Sequence, residues 1–128
     1  MEQSNEVMLA NSKAKNKFLS YIGIATKARK TVSGEFSTEK AVKEHKAQLV
    51  IVATDASDNT KKMFTNMCTY YKVPINFFGD KSELGHAMGK EFRASLAMLD
   101  KGLADAAVKQ LKIGMESGGS KYVENENI

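Results

Sequence analysis

The chain has no tryptophan, one proline, one cysteine and two histidines among its 128 residues. Each shortage excludes something. A single cysteine, Cys68, rules out an intrachain disulfide. His45 and His86 stand far apart in the sequence, and no Cys/His cluster has metal spacing, so no structural zinc is expected. No run reaches about 18 apolar residues, the length a membrane-spanning helix needs. The opening stretch MEQSNEVMLANSKAK lacks the apolar core of a signal peptide. Also missing are a Gly-x-Ser-x-Gly elbow, a His-Glu-x-x-His helix and a Walker loop. Catalysis therefore has little to stand on, and a reduced, cytoplasmic setting without cofactor is expected.

What is present is one domain's worth of chain, carrying 19 Lys and Arg against 15 Asp and Glu, a net charge of +4. The placement of charge says more than the sum. Between Lys13 and Lys46 nine basic residues face three acidic ones, and the remainder of the chain is slightly acidic. Such a basic segment attracts phosphate backbones or anionic lipid in a salt-dependent way, although surface lysines also serve solubility alone.

The hydrophobic pattern alternates between helical and strand periods. Residues 1–11 are polar and read as a flexible lead-in, and helical spacing begins at an Asn11 or Ser12 cap with Phe18, Ile22 and Ala25 on one face. TVSG is a short strand ending at Gly34, followed by a helix over EKAVKEHK that Ser37 or Thr38 can cap. LVIVA, Leu49 to Ala53, is a continuous apolar run of the kind a strand covered on both faces shows. DASDNT caps a third helix, whose stripe is Phe64, Cys68 and Tyr71. VPINFFG makes the next strand, with Pro74 at its start, and SELGHAMG is a short helix closed by Gly89. RASLAMLD alternates as a fourth strand, and KGLADAAVKQLK forms the last helix. The implied fold is α/β, a three-layer α-β-α sandwich with a four-stranded mixed sheet, spanning residues 12–112. Residues 113–128 read as a flexible Gly/Ser and polar tail.

Few candidate sites survive comparison with plainer explanations. Cys68 lies on an apolar stripe and reads as a buried inert thiol. Asp55 follows a buried strand, where open α/β sheets gather ligands, yet Asp55, Ser57 and Asp58 equally suit a strand-to-helix turn. The stretch SGEFSTEK is different. Gly34 permits close backbone approach, the helix start behind it presents free N–H groups, and Lys30 and Lys40 flank it. Phe36 either stacks on a base or staples the helix start to the core. As a whole, the cluster favours RNA.

GIATKARKTVSG, LVIVATDAS, NTKK, YYKVPI and LGHAMGK stand in an order and spacing that resembles the L7Ae/L30e family of kink-turn RNA-binding ribosomal proteins, in its bacterial YlxQ-type branch. The likeness runs from about Lys17 to Leu111. It implies the same sandwich and RNA binding without catalysis or metal. In the family the RNA is held by the turn after the first strand, which maps onto Gly34, Glu35, Phe36, Ser37 and Lys40, with Lys30 beside it. A second contact, the loop before the last strand, maps onto Lys90, Glu91, Phe92, Arg93 and Ala94, and Asp55 lies at the neighbouring strand end. Lys27 and Arg29 complete the cationic set expected to neutralise phosphates. One departure stands out: members that grip kink-turns carry Asn-Glu where this chain has Phe36 and Ser37. The resulting expectation is a monomer that binds structured RNA, with ribosomal RNA and kink-turns as candidates, and no membrane. Two rivals remain: a protein-interaction adaptor in ribonucleoprotein or translation complexes, docking through Phe36, Phe92, Tyr122 and Val123, and an enzyme built on Asp55 and His86.

Overall fold

The computed structural model describes the backbone over residues 2–118 and side chains over 12–113. Five helices alternate with four strands: α1 (Glu2–Lys27), β1 (Thr31–Ser33), α2 (Glu35–Lys43), β2 (Leu49–Val52), α3 (Asp58–Tyr71), β3 (Ile75–Phe77), α4 (Lys81–Ala87), β4 (Ser95–Met98) and α5 (Lys101–Gly118). The sheet order is β1-β4-β2-β3. β4 pairs antiparallel with both β1 and β2, and β2 pairs parallel with β3. One mixed sheet therefore holds all four strands, with α2 and α3 on one face and α1, α4 and α5 on the other. This is the three-layer sandwich that the alternation of periods implies.

Burial follows position in the sheet. The two central strands, β2 and β4, are buried at every residue, whereas the edge strand β1 is half-buried throughout. Leu49–Val52 needs its unbroken apolar run because helices cover both faces. β4 departs from the alternation read in RASLAMLD: Ser95, Leu96, Ala97 and Met98 are all inaccessible, since α2 covers one face of this central strand and α5 the other. Phe18 of α1 meets Phe78 after β3 in a tilted ring pair 4.5 Å apart, joining that helical layer to the sheet. Phe18 and Ile22 are fully buried, worth roughly 1.5–3 kcal/mol each relative to exposure.

Helix ends differ from the sequence reading in three places. α1 begins at Glu2, not at Asn11 or Ser12, because residues 2–22 contain neither glycine nor proline to stop it. α2 begins at Glu35, ahead of the expected Ser37 or Thr38 cap. Gly34 takes the N-cap with φ 90°, and Thr38 is a buried residue of the helix interior. α5 runs on to Gly118, and the rest of the expected tail, residues 119–128 with Tyr122 and Val123, lies outside the described residues. No helix among the described residues is long and apolar enough to cross a membrane.

Candidate nucleic-acid interface

Because β1, β2 and β3 share one direction and β4 opposes them, the ends of the first three strands and the start of β4 meet at one edge of the sheet. The starts of α2, α3 and α4 collect there. Their capping differs. Ser57 Oγ accepts the Thr60 N–H at 3.1 Å to cap α3. Asp80 and Glu83 form a reciprocal capping box on α4, with Asp80 Oδ1 accepting the Glu83 N–H at 2.7 Å. α2 has no side-chain cap, since its N-cap is Gly34. The N–H groups of its first turn, together with the positive end of the helix dipole, are left to an outside acceptor.

The glycine turn is held from behind. The Gly34 N–H donates to the Ser95 carbonyl at 3.0 Å, and the φ of 90° with ψ of 160° is a conformation that essentially only glycine adopts. Arg93 ties the loop before β4 to the same turn: its Nε donates to Ser33 Oγ at 2.9 Å and its Nη1 to the Phe92 carbonyl at 2.7 Å. The Arg93 N–H donates to the Lys81 carbonyl at 3.0 Å. Asp55 Oδ1 accepts the Lys81 N–H at 2.9 Å, joining the end of β2 to the start of α4. Beneath the loop, Gly85 lies so close that a Cβ there would sit 2.4 Å from the Glu91 carbonyl oxygen. Residues 91–93 are thus packed backbone to backbone on α4.

On this frame two aromatic rings stand in solvent. Phe36 is 78% exposed and Phe92 62% exposed. The exposure removes the staple reading for Phe36: the ring does not pin α2 to the core. Phe36 and Lys40, one helical turn apart, border a shallow groove of about 300 Å³ with Glu39, Lys43 and Glu44. Lys43 is engaged by Glu39 at 2.7 Å, whose hydrogen bond and then charge raise its pKa above the ordinary lysine value. Lys40 has no acidic partner among the described residues.

The edge gathers Gly34, Glu35, Phe36, Ser37 and Lys40, Asp55, and the loop Lys90, Glu91, Phe92, Arg93 and Ala94. Lys27, Arg29 and Lys30 are not brought to it. They precede β1, and the Lys30 carbonyl accepts the Leu99 N–H at 2.8 Å, beyond the far end of β4. Lys30 and Gly34 are separated along the strand by about 13 Å. The basic segment of the sequence is therefore divided between two opposite edges.

Other candidates fall away individually. Burial pushes the Cys68 thiol up to about 12, a protonated and unreactive state at neutral pH. His86 lines a groove between α4 and α1 with Leu19, Gly23 and Ser82, and Asp55 is not part of it. No group of three His, Cys, Asp or Glu among the described residues could hold a metal ion. The sequence reading missed Ser33 as the anchor of Arg93, and no local signal marks a contact between residues sixty apart. It also missed Tyr70, which is 78% exposed. That one was legible, because adjacent tyrosines on a helix point about 100° apart and cannot share a buried stripe.

An α/β sandwich carrying an uncapped helix start, exposed rings and a pinned loop at one sheet edge suits a binding protein. Comparison with known proteins agrees. Residues 16–108 match the model of the Ribosomal protein L7Ae/L30e/S12e/Gadd45 family. The RNA-binding protein YlxQ of Bacillus subtilis is 41% identical over 90 residues, covering 70% of this chain and 90% of that protein. A solved Bacillus halodurans protein of unknown function superposes with a TM-score of 0.73 at 33% identity, over 75% of this chain and 97% of that one. The Giardia lamblia 15.5kD RNA binding protein has the same fold, with a TM-score of 0.67 at 21% identity over 82% of this chain and 90% of that one. The chain belongs to the L7Ae/L30e/S12e/Gadd45 family of ribosomal proteins, and its relatives are RNA-binding and ribosomal proteins, not enzymes.

Proposed function

We propose that this chain is a non-enzymatic, ribosomal-protein-like RNA-binding protein that holds structured RNA against the edge formed by the glycine turn, the first turn of α2 and the loop 90–94. The single observation that carries the reading is the uncapped start of α2 beside an exposed Phe36. A phosphate accepts from the first-turn N–H groups, and an unpaired base stacks on the ring. Lys40 and Lys90 neutralise neighbouring phosphates. Arg93, occupied by Ser33 and Phe92, acts mainly by holding the loop in place.

Kink-turn RNA and ribosomal RNA are the finer candidates. With Phe36 and Ser37 at the positions where kink-turn-gripping relatives carry Asn-Glu, the chain lacks the amide and carboxylate that would read base edges. Recognition then rests on shape, stacking and backbone contacts. Binding to a kink-turn RNA is expected to differ less than about tenfold from binding to the same RNA with its G·A pairs made Watson–Crick, a difference below about 1.4 kcal/mol. Electrophoretic titration of both RNAs from 50 to 300 mM KCl tests the proposal. Affinity should fall with salt at a log–log slope of roughly −2, for two to three neutralised phosphates. Absence of any RNA complex at 50 mM KCl would exclude the reading, and a pull-down partner that survives nuclease and high salt would support the adaptor instead. Gel filtration is expected to show a monomer.

A further inference from the structure

Helices α1, α2, α3 and α4 all end in the same way. The chain turns through a left-handed residue, and the N–H after it reaches back to a carbonyl of the last turn: Lys30 to Ala25, Lys46 to Ala41, Val73 to Cys68 and Lys90 to Gly85, at 2.7–2.9 Å. Glycine is the usual occupant of that left-handed position, because any Cβ is strained there. α4 follows the rule with Gly89 at φ 72°. The other three do not. Their left-handed residues are Arg29 (φ 61°), His45 (φ 61°) and Lys72 (φ 60°), the full set of positive-φ non-glycine residues among those described. These three turns lead into β1, β2 and β3, which start at the same edge of the sheet, opposite the glycine turn.

That edge is cationic and aromatic together. Lys27, Arg29, Lys30 and Lys72 are all exposed, and none is ion-paired with a described residue. His45 stacks edge-on against Tyr71 at 5.7 Å, and Tyr71 against Tyr70 at 4.9 Å, which joins the ends of α2 and α3 in a run of rings whose outermost member, Tyr70, is 78% exposed. Basic residues at helix C-termini also complement the helix dipole, but a lysine in the last turn does so without left-handed strain. Placing a cation at the strained position itself, at both Arg29 and Lys72 on one edge, is the feature that dipole complementarity leaves unexplained.

We infer that this second edge binds a separate, single-stranded segment of RNA, with phosphates on Lys27, Arg29, Lys30 and Lys72 and a base stacked on Tyr70. Interleaved cations and an exposed ring are what a single strand uses, since every base offers a face for stacking whatever its sequence. From β1 to β3 the edge spans three strand spacings, about 14 Å, room for two or three nucleotide steps. The inference rests on the RNA-binding reading above and adds to it: the protein joins two RNA segments, one at each edge of its sheet.

The probe is a fluorescein-labelled oligo(U) of twenty nucleotides, followed by anisotropy with the full chain at 50 mM KCl and upward. Arg29→Glu/Lys30→Glu/Lys72→Glu is expected to weaken binding at least tenfold and to flatten the salt slope by about 2, for three phosphates on a single strand. Tyr70→Ala is expected to weaken it about fivefold or more. Phe36→Ala/Lys40→Glu should leave oligo(U) binding at this edge in place. Arg29→Gly/Lys72→Gly separates the role from folding: melting should rise by about 2–4 °C as the backbone relaxes, while oligo(U) binding falls. The inference is overturned if oligo(U) binding follows Phe36 and Lys40 alone, or if the glycine variant melts below the parent chain. It is equally overturned if charge reversal abolishes binding of a polyglutamate peptide and spares RNA. Should the Phe36/Lys40 variant bind folded RNA like the parent while charge reversal at the second edge abolishes binding, this inference stands and the glycine-turn proposal falls.

Discussion

Arg93 and Ser33, sixty positions apart in the chain, are joined by one hydrogen bond of 2.9 Å from Nε to Oγ, and that bond couples the two halves of the proposed RNA edge. Removing it with Arg93→Ala frees the loop 90–94 from the glycine turn. We expect RNA affinity to fall about five- to tenfold, roughly 1–1.4 kcal/mol, with a small loss of melting temperature. Arg93→Lys should not restore affinity, because a lysine has no fork to reach Ser33 and the Phe92 carbonyl together. Full rescue by lysine in a binding titration would show that charge alone matters at this position.

Gly34→Ala and Gly85→Ala are the same change with different physical causes. At Gly34 a Cβ meets nothing within 4 Å, so the whole effect is conformational, about 1–3 kcal/mol. At Gly85 the φ is ordinary and the Cβ collides with the backbone of Glu91 and Phe92, forcing the loop off α4 at a cost of roughly 1–3 kcal/mol. Chemical denaturation should show both losses. Hydrogen exchange should distinguish them, with new opening in residues 90–94 only for Gly85→Ala.

Phe36 stands clear of the core, so Phe36→Ala should change stability by less than about 0.5 kcal/mol. Loss of a stacking surface should weaken RNAs with an unpaired base by about 1–3 kcal/mol. Lys40→Glu should instead weaken all structured RNAs alike and reduce the salt slope by about 1. A drop of several degrees in melting for Phe36→Ala would contradict the exposed ring.

Cys68 gives a prediction at high pH. The folded chain holds the thiol protonated up to about 12, above the reference value of 9.0 for the free group. The unfolded chain therefore releases this proton first as pH rises. The contribution is fully present below pH 9 and is lost progressively between pH 9 and 12, with a slope of about 1.4 kcal/mol per unit. Urea midpoints of the parent chain should fall faster above pH 9 than those of Cys68→Ala. At pH 8 native protein should resist thiol alkylation and unfolded protein should not.

Much of the architecture was legible because local and global demands agree. Leu49–Val52 reads as a covered strand and is one, and Ser57 reads as a cap and accepts the Thr60 N–H. The start of α2 was misplaced by three to four residues because serine and threonine are better caps than glycine in isolation, whereas here the turn needs a φ only Gly34 can take. β4 misled for a different reason: Ser95 and Ala97 look like the exposed half of an alternating strand, and helices on both faces of the sheet bury them. The candidate site was legible as two segments, through Gly34–Lys40 and Lys90–Ala94. That Lys27, Arg29 and Lys30 lie elsewhere depends on strand direction, which charge counting along a chain does not carry.

Of the four described strands, the last in chain order is also the one that separates β1 from β2. Until Ser95–Met98 are in place, the first two strands have no common neighbour, Gly34 has no Ser95 carbonyl to bond and Ser33 has no Arg93. A chain cut before residue 93 would hold every helix start of the glycine edge without the contacts that align them, so the edge is assembled in one step by a single strand.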